Sequence, residues 1–239
     1  MRCCNLTLPT PEENLACDEA LLDCAEEGDL GEVLRFWEPA RPFVVLGYAN
    51  RVAREVNVGF CKRHRIPILR RCSGGGTVLQ GPGCLNYSLI LRMEQGGPFS
   101  GITSTNRFIL ARHQAALTAL LNAPVRIQGH TDLAIGGLKF SGNSQRRKRR
   151  FLLFHGSFLL NMDIALIERA LPFPSKAPEY RQKRSHQDFL RNLEAPAQAL
   201  RTALANAWGA SQPLGHIPSS RIEVLVNEQY GAREWTFKL

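Results

Sequence analysis

Residues 70–88, RRCSGGGTVLQGPGCLNYS, carry more information about the fold than any other stretch of the chain. Three consecutive glycines follow an apolar segment, residues 66–69, and a pair of arginines. Glycine has no Cβ, so such a loop can adopt positive φ angles, and its bare amides can receive an anion or a carbonyl. Strand-like apolar patterns resume at residues 77–79 and 85–91. The stretch therefore predicts a ligand-binding loop between two strands.

Glycine content alone favours a simpler interpretation, a hairpin with a glycine-rich turn. The loop is not a Walker P-loop, because no Gly-Lys-Ser/Thr follows at the required spacing. It is not a dinucleotide fingerprint, because a strand rather than a helix follows it. The guanidinium groups of Arg70 and Arg71 offer planar donors that suit phosphate or carboxylate, but a second segment is needed to decide.

That segment is residues 129–160, which begin GHTDLAIGGLKFSGNSQ and continue through five basic residues to FLLFHGSFLL. Residues 132–140 have the pattern of a hairpin with Gly136-Gly137 as its two-residue turn. Lys139 then lies among apolar neighbours on a strand. A lone lysine in a strand usually points to solvent, whereas an ammonium held near a ligand would neutralise phosphate and polarise an acyl oxygen.

Together the two segments contain an ordered set of motifs: Arg-Arg-x-Ser-Gly-Gly-Gly, Gly-x-x-Asn-Tyr-Ser, x-x-Asp-Leu, Gly-x-Lys-x-Ser-Gly-x-x-Gln and His-Gly-x-x-Leu. In this order and spacing they resemble the catalytic domain of lipoate–protein ligases, in the wider biotin/lipoate protein ligase family. The resemblance runs from about residue 34 to 163. It implies an α/β (α+β) fold with a mixed, largely antiparallel sheet flanked by helices, similar to class II synthetases. It also implies one catalytic domain, residues 1–239, without the C-terminal accessory domain of larger ligases.

The resemblance implies a two-step, ATP-dependent reaction. Lipoate or octanoate and ATP form an acyl adenylate, and a lysine ε-amine of a lipoyl domain then attacks the carbonyl. Lys139 is implied to be catalytic, in contact with the acyl carbonyl and the α-phosphate. Mg²⁺ is the expected metal, with its position unknown and Asp132 as a candidate ligand. The residues implied to bind the substrate or adenylate are Arg71, Ser73, Gly74, Gly75, Gly76, Thr77, Asn86, Asp132, Ser141, Gly142 and His155.

The chain departs from the family pattern at several places. His130-Thr131-Asp132-Leu133 replaces Arg-Asn-Asp-Leu/Ile, and Phe154-His155-Gly156 replaces His-His-Gly. Residues 183–186 match the family's Arg-Ser-Arg stretch only loosely, so no role is assigned to them. Without the accessory domain, the chain could need a separate partner subunit, activate lipoate alone, or only transfer a preformed acyl group.

Two other functions stay open. Octanoyl transferases hold the acyl group on a cysteine downstream of the lysine motif, but no cysteine follows Cys84. Cys72 and Cys84 lie beside the glycine loop and are the remaining candidates, although a reactive thiolate requires a lowered pKa. A non-catalytic protein that binds lipoyl-AMP or a lipoyl domain is the other alternative, and for His155 the plain alternative is a neutral core histidine.

Charge favours an acidic partner. The net charge is +9, from 30 Lys and Arg against 21 Asp and Glu, with basic clusters at residues 62–65 and 146–150. The second cluster is expected at a solvated hairpin tip, or as a surface that steers an acidic partner. The implied partners are lipoyl domains of 2-oxoacid dehydrogenase complexes or the glycine-cleavage H protein. Nucleic acid is disfavoured, because no helix-turn-helix, zinc finger or aromatic RNA-binding signature is present.

Composition sets the expected compartment and the state of the thiols. No apolar run approaches the roughly 20 residues of a membrane span, and residues 1–5 lack a signal-peptide pattern, so a cytoplasmic protein without membrane contact is expected. The seven cysteines show no paired zinc-ligand spacing. Buried free thiols are therefore expected.

Hydrophobic periodicity and capping residues predict the remaining elements. A capping box of Thr10 and Glu13 starts a helix that ends at Gly28. Trp37 is expected in the core, with a position near the pocket as the alternative. Further helical segments are predicted at 51–65, 104–122, 163–170 and 193–208, and further strands at 33–37, 43–46, 125–127 and 152–160, the last buried on both faces.

Overall fold

The structure, a computed structural model, describes residues 1–94 and 96–239. Its strands are β1 (Arg2–Asn5), β2 (Val33–Trp37), β3 (Phe43–Leu46), β4 (Ile68–Arg70), β5 (Val78–Gln80), β6 (Cys84–Arg92), β7 (Arg126–Gln128), β8 (Asp132–Ile135), β9 (Leu138–Arg147), β10 (Phe151–Leu159) and β11 (Gln212–Pro213). Its α-helices are α1 (Pro11–Glu27), α2 (Val52–Glu55), α3 (Val58–Arg63), α4 (Ile102–Leu121), α5 (Ile164–Ala170), α6 (His186–Phe189), α7 (Ala197–Trp208), α8 (Ser219–Leu225) and α9 (Arg233–Thr236). A 3₁₀ turn spans Glu179–Arg181, and a π-helical turn spans Val226–Tyr230.

The described strands form two sheets. The large sheet has eight strands in the order β11-β1-β2-β6-β10-β9-β8-β7, and the small sheet has the order β4-β3-β5. In the large sheet β1 runs parallel to β2 and to β11, whereas the other neighbours are antiparallel. This confirms the predicted mixed, largely antiparallel sheet with flanking helices.

Both faces of the large sheet are covered by apolar side chains. On one face, Leu110 of α4 and Leu200 of α7 pack with Phe154 of β10. On the other face, Leu21 of α1 packs with Leu153 of the same strand. Burial on both faces agrees with the continuous apolar run of β10. A third cluster lies under α3 and α5 beside the small sheet.

The glycine-rich loop is not the turn of a hairpin. Strands β4 and β5, which flank it, pair with opposite edges of β3 rather than with each other. The loop therefore crosses the end of β3, and the Tyr48 amide donates to Ser73 O (2.8 Å). The predicted loop between two strands is confirmed, and the simpler hairpin is wrong.

Helix ends follow local chemistry. The predicted capping box of Thr10 and Glu13 is present, and Gly28 ends α1 with φ of 100°. The predicted helix at 51–65 is instead two short helices, because Asn57 caps the second by accepting from the Phe60 amide. The helix predicted at 193–208 begins only at Ala197, since a residue before proline avoids the α-helical conformation and Pro196 is the N-cap.

All seven cysteines are free, and Cys17, Cys61, Cys72 and Cys84 are buried, whereas the other three are partly exposed. The prediction of free thiols is therefore confirmed, and that of burial holds for four of the seven. None of the described helices combines the length and the hydropathy that crossing a bilayer requires.

Gly83, which precedes β6, tests the close backbone contact with Asn161, which follows β10. It has φ of +87°, and a Cβ there would lie 2.3 Å from the carbonyl carbon of Asn161. We expect Gly83→Ala to lower the free energy of unfolding by about 3 kcal/mol, from left-handed strain and overpacking together. Gly209→Ala is the matched control: φ is +59° with no atom within 4 Å, so strain alone costs about 1 kcal/mol. Urea unfolding measures the free energy of unfolding of both variants. Equal decreases in the two variants would contradict the steric argument.

Candidate active site

A cavity of about 470 Å³ lies between the two sheets. Its walls come from α1, both sheets, the glycine loop and residues 171–190. Much of the surface is apolar, contributed by Leu15, Trp37, Val45, Val78, Leu79, Leu159, Ile167, Leu171, Phe189 and Leu190. A largely apolar pocket with a few converging polar groups is the usual form of a small-molecule site.

One row of residues, the central row, crosses the large sheet at this cavity. The registers of β2, β6, β10, β9 and β8 place side by side Trp37, Asn86, Ser157, Gly142 and Asp132. Ser157 donates to Asn86 Oδ1 (2.7 Å), and Gln80 of the small sheet donates to Ser157 (3.2 Å). The two sheets are therefore joined by hydrogen bonds at the wall of the cavity.

A β-bulge brings Lys139 to the central row. The register between β8 and β9 shifts at this point, and Phe140 is fully buried in the core. The Lys139 ammonium lies over Gly142, where a Cβ would come within 2.9 Å of Nζ. It contacts Asp132 Oδ1 at 2.8 Å. Glycine at 142 thus leaves room for an ammonium whose side chain stays 25% exposed to the cavity.

Asp132 is held from two sides. Its second oxygen, Oδ2, accepts a hydrogen bond from the Tyr180 hydroxyl (2.8 Å). Burial, together with the charge of Asp132, raises the pKa of Tyr180, which keeps the phenol a donor. Among the described residues, Asp18 and Asp132 are the carboxylates that line the cavity, and Asp18 pairs with Arg35. Asp132 is buried and each of its oxygens already has one partner, but each oxygen keeps a second lone pair. It can therefore give one ligand to a Mg²⁺ ion that takes most of its ligands from phosphate and water.

The two arginines before the glycine loop bind backbone carbonyls. Arg71 donates from Nη2 to Gly74 O (2.5 Å) and to Gly76 O (2.8 Å), so it fixes the shape of the loop. Burial lowers the pKa of Arg71 to about 10. Arg70 donates to carbonyls of residues 47, 48, 50, 235 and 236. The expectation that these guanidiniums offer free donors to an anion is therefore corrected.

A buried hydrogen-bond chain, the relay, leads from the loop to the core. Arg71 Nε donates to Ser73 Oγ (3.0 Å), and Ser73 Oγ lies 2.5 Å from His155 Nε2. His155 Nδ1 lies 3.3 Å from Asp18 Oδ2, and Asp18 Oδ1 accepts from Arg35 (2.7 Å). Because a carboxylate only accepts, we infer that Nδ1 carries the proton and that the serine hydroxyl donates to Nε2.

Most of the residues singled out from sequence line the cavity: Arg71, Gly75, Gly76, Thr77, Asn86, Asp132, Lys139, Ser141, Gly142 and His155. Ser73 and Gly74 do not, which differs from the expectation. Ser73 is 1% exposed, and its hydroxyl is engaged in the relay. Trp37 is both a core residue and a wall of the cavity.

Sequence reasoning missed several polar residues of the cavity. Asp18 lies one helical turn after the buried Asn14 on α1, and two polar residues at such spacing on an apolar face are a usable signal. Arg181 lies in the short 3₁₀ turn after a proline-rich stretch, where no periodicity marks an inward side chain. Tyr180 of the same turn does not line the cavity but binds Asp132, and it was missed for the same reason. Thr131, at a departure from the family pattern, donates to Asn143 O (2.7 Å) and so ties the turn to β9.

The two cysteines beside the loop are buried outside the cavity. Neither Cys72 nor Cys84 lines the cavity, and both are buried. Burial raises the pKa of Cys84 to about 12 and raises the pKa of Cys72 further. A thiol in this state is a poor nucleophile, because the thiolate is the attacking species.

The basic run at 146–150 is only partly solvated. Arg147 donates to the Phe99 carbonyl and to Thr105, and Lys148 pairs with Asp23 of α1 at 2.5 Å. Arg149 is exposed, and none of the five residues lines the cavity. The expected hairpin tip is present between β9 and β10, but it is tied to the body of the protein.

Residues 10–204 match the family model of the lipoyl protein ligase A/B catalytic domain. The chain belongs to this family. The resemblance drawn from the motifs is thereby confirmed, and the protein is an enzyme of the lipoate ligase and octanoyltransferase family.

Two curated relatives represent both activities. Octanoyltransferase LipM of Oceanobacillus iheyensis is 28% identical, with 78% of this chain and 74% of the relative covered. Lipoate–protein ligase 1 of Staphylococcus aureus is 26% identical, with 98% of this chain and 72% of the relative covered. The family therefore does not by itself separate ligation from transfer.

Solved structures match the fold over nearly the whole chain. A bipartite lipoate protein ligase from Thermoplasma acidophilum, described with its E2 lipoyl domain, has a TM-score of 0.83 at 23% identity and covers 99% of this chain and 95% of its own. A lipoate–protein ligase A bound with ATP has a TM-score of 0.81 at 23% identity and covers 99% of each chain. At 23% identity, these matches show that the fold is shared.

The relay predicts a specific loss of stability in acid. Burial alone raises the pKa of Asp18, but the hydrogen bond from His155 and the charge of Arg35 outweigh it and hold the pKa below its usual value. A lowered carboxyl pKa stabilises the fold above the unfolded value of about 3.9, and this stabilisation is lost as pH falls through the folded pKa. We expect Asp18→Asn to lower the free energy of unfolding at neutral pH by about 3 kcal/mol and to flatten its dependence on pH below about 4.

Asp163→Asn is the matched control, because Asp163 is 57% exposed and asparagine also caps a helix. We expect it to change stability by less than about 0.5 kcal/mol. Urea unfolding across the acid range measures both variants. An unchanged acid profile for Asp18→Asn would contradict the lowered pKa.

Proposed function

We propose that the protein is an ATP-dependent lipoate–protein ligase, which activates lipoate or octanoate as the acyl adenylate and transfers the acyl group to a lysine of a lipoyl domain. The observation that carries this proposal is the pair of Lys139 and Asp132 at the wall of an apolar cavity. No cysteine of the described chain lines that cavity.

The chemistry fits the groups present. An acyl adenylate is a mixed anhydride and is already activated, so the enzyme contributes positioning and charge rather than a nucleophile of its own. In the proposed reaction Lys139 contacts the acyl carbonyl and the α-phosphate, and Asp132 holds its ammonium in place. The other residues proposed to bind or position the substrate are Arg71, Ser73, Gly74, Gly75, Gly76, Thr77, Asn86, Ser141, Gly142 and His155.

ATP and Mg²⁺ belong to this proposal. One structural neighbour is bound with ATP, which supports nucleotide as a substrate of the shared fold. Of the two described carboxylates that line the cavity, Asp18 is paired with Arg35, and Asp132 is the proposed protein ligand for Mg²⁺. The ion would balance phosphate charge when bound.

Octanoyl transfer without ATP is the second candidate, because curated relatives carry that name. A covalent route would need an accessible thiol, and Cys72 and Cys84 are buried with raised pKa values. We therefore favour the ligase.

The proposed partners are lipoyl domains of 2-oxoacid dehydrogenase complexes or the glycine-cleavage H protein. A neighbouring structure was described with its E2 lipoyl domain, which supports a partner of this kind. The net charge of +9 favours an acidic partner surface. We propose residues 1–239 as one catalytic domain, and a separate accessory subunit would be needed only if adenylation fails in its absence.

Lys139 gives the most direct test. We expect Lys139→Ala to lower acyl transfer by at least about 100-fold, because a charge that stabilises the transition state is removed. The assay measures pyrophosphate release from ATP with lipoate, and mass spectrometry follows an apo lipoyl domain. Lys62→Ala is the control, because Lys62 is exposed on α3. Unchanged product with Lys139→Ala would refute the assignment.

The wild-type result separates the candidate activities. Pyrophosphate release with a lipoyl mass gain on the domain supports the ligase. A mass gain only from supplied lipoyl-AMP supports a transfer enzyme that needs a partner for adenylation. A mass gain from an octanoyl thioester donor without ATP supports the transferase.

The cysteines provide an independent prediction. We expect Cys72→Ala and Cys84→Ala to keep acyl transfer within about threefold of wild type, since neither buried thiol is reactive. Intact-mass analysis after incubation with an octanoyl thioester donor is expected to find no acylated enzyme. An adduct that disappears in either variant, together with loss of transfer, would favour the covalent transferase.

A further inference from the structure

Arg181 is a buried cation that forms no ion pair with any described residue. It lines the cavity, is 4% exposed, and its Nη2 has no hydrogen-bond partner among the described residues. Two carboxylates in the neighbourhood are engaged elsewhere: Asp132 with Lys139, and Glu168 with His186. A buried charge without an ion-pair partner is unfavourable, so an anionic ligand would complete this site.

The guanidinium is held in a fixed orientation. Its Cζ lies 4.6 Å from the ring centroid of Phe173 and 4.9 Å from that of Phe189. Its Nε donates to Arg184 O (2.9 Å), and Arg184 Nε donates to Arg181 O (3.0 Å). A guanidinium fixed in this way presents its terminal nitrogens as a planar fork, the geometry that suits phosphate.

The backbone after Arg181 supports the same conclusion. Gln182 and Lys183 have φ of 51° and 60°, although the left-handed region favours glycine. These two residues allow the reciprocal contact between Arg181 and Arg184. Backbone strain of this kind is concentrated at functional sites.

The position of Arg181 relative to Lys139 indicates what kind of anion would bind. Tyr180, adjacent to Arg181, donates to Asp132, whose other oxygen contacts Lys139. Lys176 also lines the cavity. Among the described carboxylates of the lining, Asp18 is paired with Arg35, which leaves Asp132 for Lys139, Lys176 and Arg181. The remaining positive charge is more than the one negative charge of an acyl carboxylate would balance. A polyphosphate matches this excess.

We propose that Arg181 binds the β- and γ-phosphates of the nucleotide and stabilises the pyrophosphate that leaves. The assignment rests on the proposed ligase function. A carboxylate oxygen of the acid attacks the α-phosphorus, the bond from that phosphorus to the α–β bridging oxygen breaks, and pyrophosphate departs with the electron pair. Arg181 donates hydrogen bonds to its oxygens. An acidic side chain of an acceptor domain is disfavoured as the partner, because Arg181 is nearly inaccessible from outside.

The test separates the two half-reactions. We expect Arg181→Gln to lower lipoate-dependent exchange of pyrophosphate into ATP by at least about 100-fold and to leave transfer from synthetic lipoyl-AMP within about threefold. Arg181→Lys should recover only part of the exchange, because the fork is lost. Arg126→Gln is the matched control, because Arg126 is exposed on β7 and does not line the cavity, and we expect it to change neither half-reaction.

A binding readout keeps the test independent of turnover. Inorganic pyrophosphate with Mg²⁺ should raise the Tm of the wild type and of Arg126→Gln, and should raise that of Arg181→Gln much less. Equal loss of both half-reactions in Arg181→Gln, or an unchanged exchange, would overturn the proposal. A selective loss of transfer would instead assign Arg181 to the acceptor.

Failure of the ligase proposal gives a different result. Wild-type enzyme without exchange but with transfer would refute adenylation by this chain. Pyrophosphate binding alone would then test the role of Arg181. A Tm shift that is present in the wild type and lost in Arg181→Gln would support the anion site, whereas the absence of a shift in the wild type would overturn it.

Discussion

The ion pair of Arg35 with Asp18 is the interaction on which the arrangement of the site depends. Arg35 is fully buried on β2, and it binds Asp18 as well as the carbonyls of Leu6, which follows β1, and of Asn14 on α1. Removing one partner of such a pair leaves an uncompensated buried charge, whereas a well-packed apolar pair is often as stable. We therefore attribute the pair to its role in positioning Asp18 rather than to a contribution to the stability of the fold. It fixes Asp18, which orients His155, and His155 in turn holds Ser73 at the base of the glycine loop.

The register of the large sheet places the other polar residues of the site at fixed positions relative to Asp18 and His155. His155 and Ser157 are two residues apart on β10, so their rows are separated by about 7 Å on the same face of the sheet. His155 is part of the relay, and Ser157 belongs to the central row. The bulge in β9 then turns Lys139 to the same face, beside Asp132. A slip of one residue would send these side chains to the opposite face, which explains why long, continuous pairing of β6, β10 and β9 is needed to hold a small polar constellation.

Much of this arrangement could be predicted from sequence, and the exceptions have physical reasons. The capping box of α1, the hairpin turn at Gly136-Gly137 and the strand character of residues 152–160 are local signals, and the structure confirms them. The position of Lys139 followed from a motif, because no local rule predicts a bulge. Arg71 was expected to offer a free donor, but pairing with carbonyls depends on how the loop folds back. Tyr180 binds Asp132 and Arg181 reaches the cavity through tertiary contacts of a short 3₁₀ turn, and such contacts leave no periodic pattern in the sequence.

The distribution of charge in the cavity sets the orientation of the ligand in the proposed reaction. At the end near the relay, the charged groups of Asp18 and Arg71 have protein partners, so an anion entering there would gain little and would displace existing bonds. Elsewhere in the lining Lys139 has one carboxylate partner, and Arg181 Nη2 has no hydrogen-bond partner in the part of the chain that the structure describes. Much of the remaining lining is apolar. In the proposed reaction the carboxylate of an amphiphilic acid is therefore most stable beside Lys139, and the phosphates of a nucleotide would meet Arg181. The charged groups of the relay are already neutralised by protein partners, whereas Lys139 and Arg181 leave an excess of positive charge, and this asymmetry would orient the substrate before any chemistry begins.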